Sequence, residues 1–439
     1  MKKHIIGIDI GGTNTDAVII DTRRNILASC KVPTETPLSN GLLNVLNKVI
    51  QNAAIAPSSI DSIVVGTTHA TNAIVQRKGL ARVGVIRLTS SLPSLLPSAY
   101  NWPTDLYDAC IAKTVSVSGG YECNGRVVGV VERQTILDAC MQCIDTGAES
   151  IALIGTFSPL YKDQEIEARQ HIHDAFGNTV PVSISSDIGT IGIIERENAA
   201  ILNAALSTCI DKEFSQFVTV CAQLCNAPVY VTQNNGTIIS VDQARELPVL
   251  TIASGPTNSC RGGAALGNCK DAVIVDIGGT TTDVGAVKNG FARRSLNTSN
   301  IGGVPINFPM PDVLSVAVGG GSLVSCETNI SIGPLSLGSQ LLQQAKSFGG
   351  KHLTLTDCAL ALGHFQWPNV PSPNITLSTT HAQRVLDYAK NKIAPLITKM
   401  KGQHKNLPVV LVGGGAALFP EKFLSSNEIT PRHASVANA

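Results

Sequence analysis

One eight-residue pattern occurs twice in this sequence of 439 residues. DIGGTNTD begins at Asp9 and DIGGTTTD begins at Asp276, and the two copies agree at seven of their eight positions. Each copy lies between two short apolar segments of strand-like composition. The repeat therefore predicts two β-hairpins, each with an aspartate at the end of its first strand and a Gly-Gly-Thr turn.

The two predicted turns have the composition of phosphate-binding loops. Glycines expose backbone N–H groups and let an anion approach closely, and threonine hydroxyls add further donors. The alternative is a pair of tight turns without a ligand, but the repetition of the aspartates and threonines argues against it. The predicted phosphate-binding residues are Gly11, Gly12, Thr13 and Thr15 in the first loop and Gly278, Gly279, Thr280 and Thr282 in the second.

The aspartates of the repeat suit a different task from the glycines. A carboxylate does not hold a phosphate, but it holds a cation or a water molecule beside one. Asp9 and Asp276 are therefore predicted as Mg²⁺ ligands and as catalytic residues, and Asp283, at the end of the second copy, is a third catalytic candidate. Two such loops facing each other would clamp a polyphosphate from both sides.

Composition excludes several classes of partner. The formal net charge is +1, with 44% hydrophobic and 15% charged residues, so large buried cores are expected and neither nucleic acid nor an anionic membrane is. No apolar run reaches the roughly 18 residues of a membrane-spanning helix. The twelve cysteines are scattered, and we interpret them as small core residues in a reducing compartment rather than as metal or redox sites. A cytoplasmic protein is the expectation.

Strand-like and helical segments alternate along most of the chain. This pattern predicts two α/β domains, over residues 1–185 and 186–425, followed by a tail over 426–439. A helical segment from about Ile194 to Leu206 separates the halves, and the less regular residues 89–125 are interpreted as an inserted loop region. A ligand touched by both repeated loops would lie in the cleft between the domains.

Two other segments are candidates for ligand contact. A late strand opens onto the glycines Gly413, Gly414 and Gly415, which suit the nucleoside end of a nucleotide unless they only allow close packing. Polar residues also cluster at the end of a buried strand, where α/β sheets bind ligands. They suit a small polar substrate, although a histidine there is often a structural hydrogen-bonding residue; the cluster consists of Thr67, Thr68, His69 and Asn72.

Paired phosphate hairpins and a late glycine loop resemble the ribonuclease H-like fold shared by actin, Hsp70 and sugar kinases. A series of longer motifs, in order along roughly residues 1–420, resembles the A-type subunit of the hydantoinase/oxoprolinase family more closely. The motifs are GIDIGGTNTDAVI, TTHATNAIVQRKG, ERENAAILNAAL, ASGPTNSCRGGAALG, DIGGTTTDV, VGGGSL and TLTDCALALG.

That resemblance implies an ATP-dependent hydrolase that opens a cyclic amide of the hydantoin or 5-oxoproline type. ATP would phosphorylate the carbonyl oxygen, with Mg²⁺ as cofactor, and the protein would mainly position groups and neutralise charge. A B-type subunit or a homo-oligomer is the implied partner. The alternatives are a small-molecule kinase of the same fold and a catalytically impaired ATP-binding subunit or regulator.

The sequence departs from the family pattern in two places. Family members commonly carry a histidine two residues after the aspartate that precedes the triple glycine, and here Leu314 follows Asp312. Family A-type subunits also usually continue further at the C-terminus, whereas this chain ends at Ala439. We therefore expect weak or absent amide-opening activity in the isolated chain.

Overall fold

The structure is a computed structural model that describes residues 3–12, 14–34, 38–89, 96–295, 299–325, 330–367, 377–420, 423 and 427–439. Its strands are β1 His4–Ile10, β2 Asn14–Asp21, β3 Ile26–Pro33, β4 Ile60–Thr67, β5 Val83–Thr89, β6 Ile111–Ser118, β7 Ser150–Gly155, β8 Val182–Ile184, β9 Val229–Thr232, β10 Ile238–Ser240, β11 Ala272–Ile277, β12 Thr282–Lys288, β13 Phe291–Ala292, β14 Ser299–Ile301, β15 Val304–Ile306, β16 Val313–Val316, β17 Ser322–Ser325, β18 Ser331–Ser336, β19 Val409–Val412 and β20 Glu428–Ile429. Its α-helices are α1 Leu38–Ala53, α2 His69–Gln76, α3 Thr104–Cys110, α4 Arg133–Asp145, α5 Asp163–Phe176, α6 Ile193–Leu224, α7 Val241–Glu246, α8 Ser254–Leu266, α9 Leu341–Gln344, α10 Leu355–Ala361 and α11 Thr379–Lys401.

The first copy of the repeat forms a hairpin in a sheet of order β10-β9-β4-β1-β2-β3. β1 and β2 are antiparallel, with Ile10 opposite Thr15, and β4 runs parallel to β1 on its other side. Ile6, Ile8 and Ile19 of this hairpin are completely buried, in a core that α1 and α6 also enter. The hairpin therefore lies at the centre of the largest hydrophobic core.

The second copy forms the same arrangement in a sheet of order β13-β12-β11-β19-β20, in which β16 also pairs with β12. β11 and β12 are antiparallel, with Ile277 opposite Thr282, and β19 runs parallel to β11. α10 and α11 contribute buried side chains to the core on this sheet. The predicted fold class, an α/β protein with two units that each begin with the same hairpin, is confirmed.

A third sheet, of order β6-β5-β7-β8, is entirely parallel and packs against α4 and α5. Cys140 and Cys143 are completely buried in its core, as the interpretation of the cysteines predicts. The interpretation of residues 89–125 as a loop region was wrong, because this segment contains α3 and β6. Pro103 directly precedes α3, Gly119 and Gly120 directly follow β6, and β6 is ordered by pairing with β5.

The predicted helix between the halves is confirmed as α6, and its residues Ala199–Leu206 are all buried. The predicted domain boundary at residues 185 and 186 stays a prediction, and the sheets place β9 and β10 with the first hairpin although they follow that boundary. Residues 427–439 pack into the structure, since β20 pairs with β19. Among the described residues, no helix combines the length and the apolar character needed to cross a bilayer.

Candidate functional site

The paired aspartates of each hairpin lie directly opposite each other. In the first hairpin Asp9 is in register with Asp16, and in the second Asp276 is in register with Asp283. Residues opposite each other in an antiparallel pair point to the same face of the sheet. The spacing of the repeat therefore places two carboxylates on one face of each hairpin, next to its glycine turn.

Asp9 is almost fully buried, with 6% of its surface exposed. Its Oδ2 accepts a hydrogen bond of 2.6 Å from Nδ2 of Asn438, while its Oδ1 has no hydrogen-bond partner. Burial, followed by the negative charge of Asp16, raises the pKa of Asp9 to about 7, and the charge of Asp276 contributes in the same direction. The two hairpins are therefore close enough for their carboxylates to interact.

The second hairpin holds its carboxylates by hydroxyl groups. Oγ of Ser259 donates to Oδ2 of Asp276 at 2.5 Å, and Oγ of Ser315 donates to Oδ1 of Asp283. Burial raises the pKa of Asp276 to about 6 against the effect of the Ser259 hydrogen bond, and burial also raises the pKa of Asp283. In the first hairpin Asp16 instead pairs with Nζ of Lys31 at 2.6 Å.

The glycine loops divide into packed and open positions. A methyl group added at Gly11 or Gly278 would lie 3.1 or 3.2 Å from the carbonyl oxygen that closes the same turn. At Gly413, φ is +85° and such a methyl group would collide with Oδ1 of Asp276, and at Gly415 it would meet the Ile277 side chain at 2.6 Å. Close packing of the chain therefore requires glycine at positions 413 and 415, whereas Gly11 and Gly278 lie in tight but less restrictive surroundings.

Three other glycines, one in each loop, face free space. A methyl group at Gly279 or Gly414 would meet no atom within 4 Å, and at Gly12 the nearest atom would be Nδ2 of Asn72 at 4.0 Å. All three are exposed. A ligand can therefore approach the backbone at these three positions without displacing the protein.

The predicted threonines differ in their surroundings, and Thr13 lies outside the described residues. The Thr282 hydroxyl donates to the Val318 carbonyl at 2.6 Å, and Oγ1 of Thr15 lies 3.2 Å from Oγ1 of Thr34. Thr280 is exposed beside the open glycine of its loop. Thr280 is therefore accessible to a ligand, whereas the hydroxyl groups of Thr15 and Thr282 form hydrogen bonds within the protein.

The predicted substrate residues come together around one cavity. They lie at the end of β4 and the start of α2, and the cavity of about 260 Å³ that they line is also bounded by the first glycine loop. Nδ2 of Asn72 donates to Oγ1 of Thr68 at 3.1 Å, and the His69 backbone N–H donates to Oγ1 of Thr67 at 3.1 Å. The residues that line this cavity include Gly11, Gly12, Thr67, Thr68, His69, Asn72 and Lys78.

The cavity also contains a residue that the sequence reasoning missed. Oγ1 of Thr67 donates to Oε1 of Glu213 at 2.9 Å, and Oε2 of Glu213 lies 3.4 Å from Nδ1 of His69. Burial raises the pKa of Glu213 to about 7, so this carboxyl exchanges a proton near neutral pH, and burial lowers the pKa of His69, which favours the neutral imidazole. One signal was present, because Glu213 shares a buried helix face with Ile210, Phe214 and Phe217.

Mg²⁺ fits the carboxylates of the two hairpins. Mg²⁺ usually keeps several water ligands and takes one or two carboxylates together with substrate phosphates. Oδ1 of Asp9 and Oδ1 of Asp16 are buried without hydrogen-bond partners, so a cation beside them would satisfy both. The described residues contain no group of three or more His, Cys, Asp or Glu side chains that could together hold a metal ion.

Leu314 lies on β16, opposite Val284 of β12 and next to the paired Asp283 and Ser315. Its partly buried side chain packs against the core of the second sheet. The carboxylate of Asp312 pairs with Arg293 at 2.8 Å. Leu314 is therefore the sequence neighbour of the residue opposite Asp283, and its side chain points to the other face of the sheet, toward the core.

Known proteins match this chain along most of its length. Residues 5–176 match the family described as hydantoinase/oxoprolinase N-terminal region, and residues 196–387 match the family described as hydantoinase/oxoprolinase. The acetophenone carboxylase gamma subunit of Aromatoleum aromaticum is 26% identical over 424 residues, which cover 89% of this chain and 57% of that protein. The caprolactamase subunit alpha of Pseudomonas jessenii is 24% identical over 413 residues, which cover 90% and 59%.

A solved structure shares the fold. The crystal structure of the ATP-dependent caprolactamase from Pseudomonas jessenii matches with a TM-score of 0.76 at 20% sequence identity, covering 99% of this chain and 70% of that chain. The present chain spans less than three fifths of the length of the two curated relatives, 57% and 59%. The match therefore extends over both hairpin-led units but not over the whole of those relatives.

Proposed function

Because the chain belongs to the hydantoinase/oxoprolinase family, we propose that it uses ATP to open a cyclic amide of the hydantoin or 5-oxoproline type. The observation that carries this proposal is that the cavity of about 260 Å³ is bounded both by the first glycine loop and by polar side chains. A small ring in this cavity lies beside the loop that is predicted to hold phosphate. Substrate and phosphoryl group are thereby neighbours, which phosphoryl transfer requires.

The proposed nucleotide lies across the open glycines. The backbone at Gly12 and at Gly279 contacts the phosphates from the two hairpins, and the backbone at Gly414 contacts the nucleoside. Asp9 and Asp276 would hold Mg²⁺, which would supply positive charge that neutralises the phosphates. Asp283 stays a candidate catalytic residue beside this site.

The proposed reaction begins with attack of the amide oxygen on the γ-phosphorus of ATP. An O–P bond forms, the bond to the bridging oxygen breaks, and ADP leaves. An amide is a poor electrophile, but its phosphorylated oxygen is a good leaving group. Water then adds at the ring carbon, the C–N bond breaks and the ring nitrogen takes a proton, which leaves an acyl phosphate. A second water molecule hydrolyses the acyl phosphate to carboxylate and phosphate; a partner subunit of the B type, or a second copy of the chain, could perform these later steps.

ADP release tests this function. The chain with Mg-ATP is assayed against hydantoin, 5-oxoproline, caprolactam and acetophenone, and ring opening is followed in parallel by mass spectrometry. One ADP released per ring opened is the expected result. A stable phosphorylated product would indicate a small-molecule kinase instead of a hydrolase, and nucleotide binding without turnover would favour the impaired subunit that Leu314 suggests.

We place the protein in the cytoplasm, since every cysteine of the described residues is a free thiol.

A further inference from the structure

The Glu213 carboxyl has one oxygen without a hydrogen-bond partner at the wall of the cavity. The residue is 4% exposed, and its Oε1 is occupied by the Thr67 hydroxyl at 2.9 Å. Its Oε2 is buried and accepts no hydrogen bond. A buried carboxylate oxygen without a donor is unfavourable, so this atom is available to a donor supplied by a ligand.

The groups that face this carboxyl come from three places in the fold. Thr67 approaches it from the end of β4 and His69 from the start of α2, where Nδ1 lies 3.4 Å from Oε2. Cys209 lies one turn earlier on α6, and the negative charge of Glu213 contributes to raising the pKa of its thiol. Lys78 lines the same cavity. None of these forms a hydrogen bond to Oε2.

We propose that Oε2 of Glu213 accepts the ring N–H of a cis amide whose carbonyl oxygen faces the first glycine loop. The proposal rests on the proposed function and adds the residue that recognises the amide. In a small lactam or imide ring the N–H and the C=O lie on the same edge of the amide. A cavity that has an acceptor at one wall and a phosphate loop at another matches that edge.

This geometry selects between substrate classes. An open-chain secondary amide prefers the trans form, and adopting the cis form would weaken its binding at least roughly fifty-fold. A ketone or an N-alkylated lactam carries no N–H and leaves Oε2 without a donor. The site therefore favours cyclic amides with a free N–H over both of these classes.

Glu213 also has the properties of a proton carrier. Burial raises its pKa to about 7, so it exchanges a proton near neutral pH. When the O–P bond forms, the ring nitrogen becomes positively charged and its N–H acidic. The C=N bond forms from the nitrogen lone pair as the oxygen attacks phosphorus, so when the proton passes to Oε2 the N–H electron pair stays on nitrogen as the lone pair of an imidoyl phosphate. The proton returns to nitrogen when water has added and the C–N bond breaks.

Binding of matched probes tests the recognition. The probes are 2-pyrrolidinone, N-methyl-2-pyrrolidinone and N-methylacetamide, measured by calorimetry with the unaltered chain in the presence of Mg²⁺ and a non-hydrolysable ATP analogue. We expect 2-pyrrolidinone to bind at least about tenfold more tightly than either of the other two. In Glu213→Gln, which retains an acceptor for Thr67 but has no carboxylate, we expect the preference over the N-methylated lactam to disappear.

The activity arm uses lactam-dependent ADP release. Glu213→Gln should lower the rate of ADP release by roughly 10²- to 10⁴-fold and remove its pH dependence near 7, while Glu195→Gln, the same change elsewhere on α6, should leave the rate unaltered.

Equal binding of the two lactams by the unaltered chain, binding of none of the probes, or an unchanged preference in Glu213→Gln would overturn the proposal. ADP release that remains normal in Glu213→Gln would overturn its proton role while leaving the proposed function intact, and failure of every cyclic amide to stimulate the unaltered chain would count against that function.

Discussion

The two hairpins have almost the same sequence, and their turns are built alike. The Gly11 N–H donates to the Asn14 carbonyl at 3.0 Å, and the Gly278 N–H donates to the Thr281 carbonyl at 2.9 Å. Their surroundings differ. The backbone carbonyl groups of the second hairpin accept hydrogen bonds from glycines of other segments. One of these is the Gly320 N–H, which donates to the Gly278 carbonyl oxygen at 3.0 Å.

More contacts of this kind hold the second hairpin. The Gly321 N–H donates to the Gly279 carbonyl at 2.7 Å, and the Gly415 N–H donates to the Ile277 carbonyl at 2.7 Å. Oγ of Ser336 donates to the same Gly279 carbonyl at 3.2 Å. Its turn is therefore fixed from two sides, which leaves the N–H side and the exposed Gly279 for a ligand.

The first hairpin is held more lightly and borders the cavity. Oγ1 of Thr34 donates to the Gly11 carbonyl at 2.8 Å, and the Thr68 N–H donates to the Ile10 carbonyl at 3.3 Å. Gly11 and Gly12 then line the same cavity as Glu213. In our proposal the same turn sequence therefore serves two tasks: the second hairpin is a rigid binding site for the nucleotide, and the first brings phosphate and substrate together.

The largest expected effect tests whether the first aspartate of each hairpin, Asp9 or Asp276, has the same role. Asp9→Asn and Asp276→Asn each retain shape and hydrogen bonding but remove a charge that can hold Mg²⁺, and we expect lactam-dependent turnover to fall at least about a hundredfold in both. ADP release under saturating ATP measures this. Asp61→Asn, an exposed aspartate on β4, is the control and should retain full turnover. Full activity in Asp9→Asn would assign that residue to structure and limit the catalytic role to the second hairpin.

The next prediction contrasts an open glycine with a packed one. Gly279→Val places its side chain in free space, so we expect a normal melting temperature but Mg-ATP affinity weakened about a hundredfold. Gly413→Ala meets Oδ1 of Asp276 at a φ of +85°, so the free energy of unfolding should fall by about 1–3 kcal/mol. Calorimetry and thermal unfolding measure the two changes. Gly414→Ala is the matched control for folding, and unaltered Mg-ATP affinity in a folded Gly279→Val would contradict the nucleotide site.

The pH dependence of stability sharpens the comparison of the carboxylates. The pKa of Asp9 is about 7 in the folded protein and near 3.8 when the chain is unfolded, so between these values the folded state binds the extra proton. The free energy of unfolding therefore falls as pH rises from about 4 to 7, by at most about 4 kcal/mol for this residue. Asp9→Asn should then raise the melting temperature by a few degrees at pH 8 and hardly at all at pH 4.5.

The smaller shift of Asp276, to a pKa of about 6, predicts a weaker effect for Asp276→Asn with its midpoint at lower pH. Bound Mg²⁺ and nucleotide favour the ionised carboxylates and should flatten the pH slope of the unaltered chain. Thermal unfolding in a series of buffers measures both changes. A slope that is identical in the unaltered chain and in Asp9→Asn would show that Asp9 titrates normally.

The smallest expected effect concerns Leu314 beside the second hairpin. If this position is catalytic or binds metal, Leu314→His should raise lactam-stimulated ATP turnover several-fold with added divalent metal, because imidazole ligates metals and transfers protons. The assay compares turnover with and without metal, and Leu314→Asn controls for a polar change at the same partly buried site. An unaltered isolated chain that already opens its ring at an ordinary enzyme rate, on the order of 1–10³ s⁻¹, would show that the histidine was never needed.

Several features follow from the sequence alone because they depend on neighbouring residues. Turn chemistry and strand-forming residues within eight positions specify each hairpin, and the register that places Asp9 opposite Asp16 follows from the length of the turn. The alternation of strands and helices predicts the α/β class and the helix α6 in the same way. The cluster at the end of β4 was also found, because strand ends in such sheets meet ligands.

Contacts between distant parts of the chain decided the rest. Thr67 and Glu213 are 146 residues apart, and Asp9 and Asn438 are 429 residues apart, so no local pattern could pair them. Whether Glu213 is a solvated charge or a buried acid depends on which surface covers α6, and only the packed protein supplies that surface. The same holds for the two hairpins: their sequences are nearly identical, and the glycine turns around one and the cavity beside the other, both built from remote segments, give them different environments.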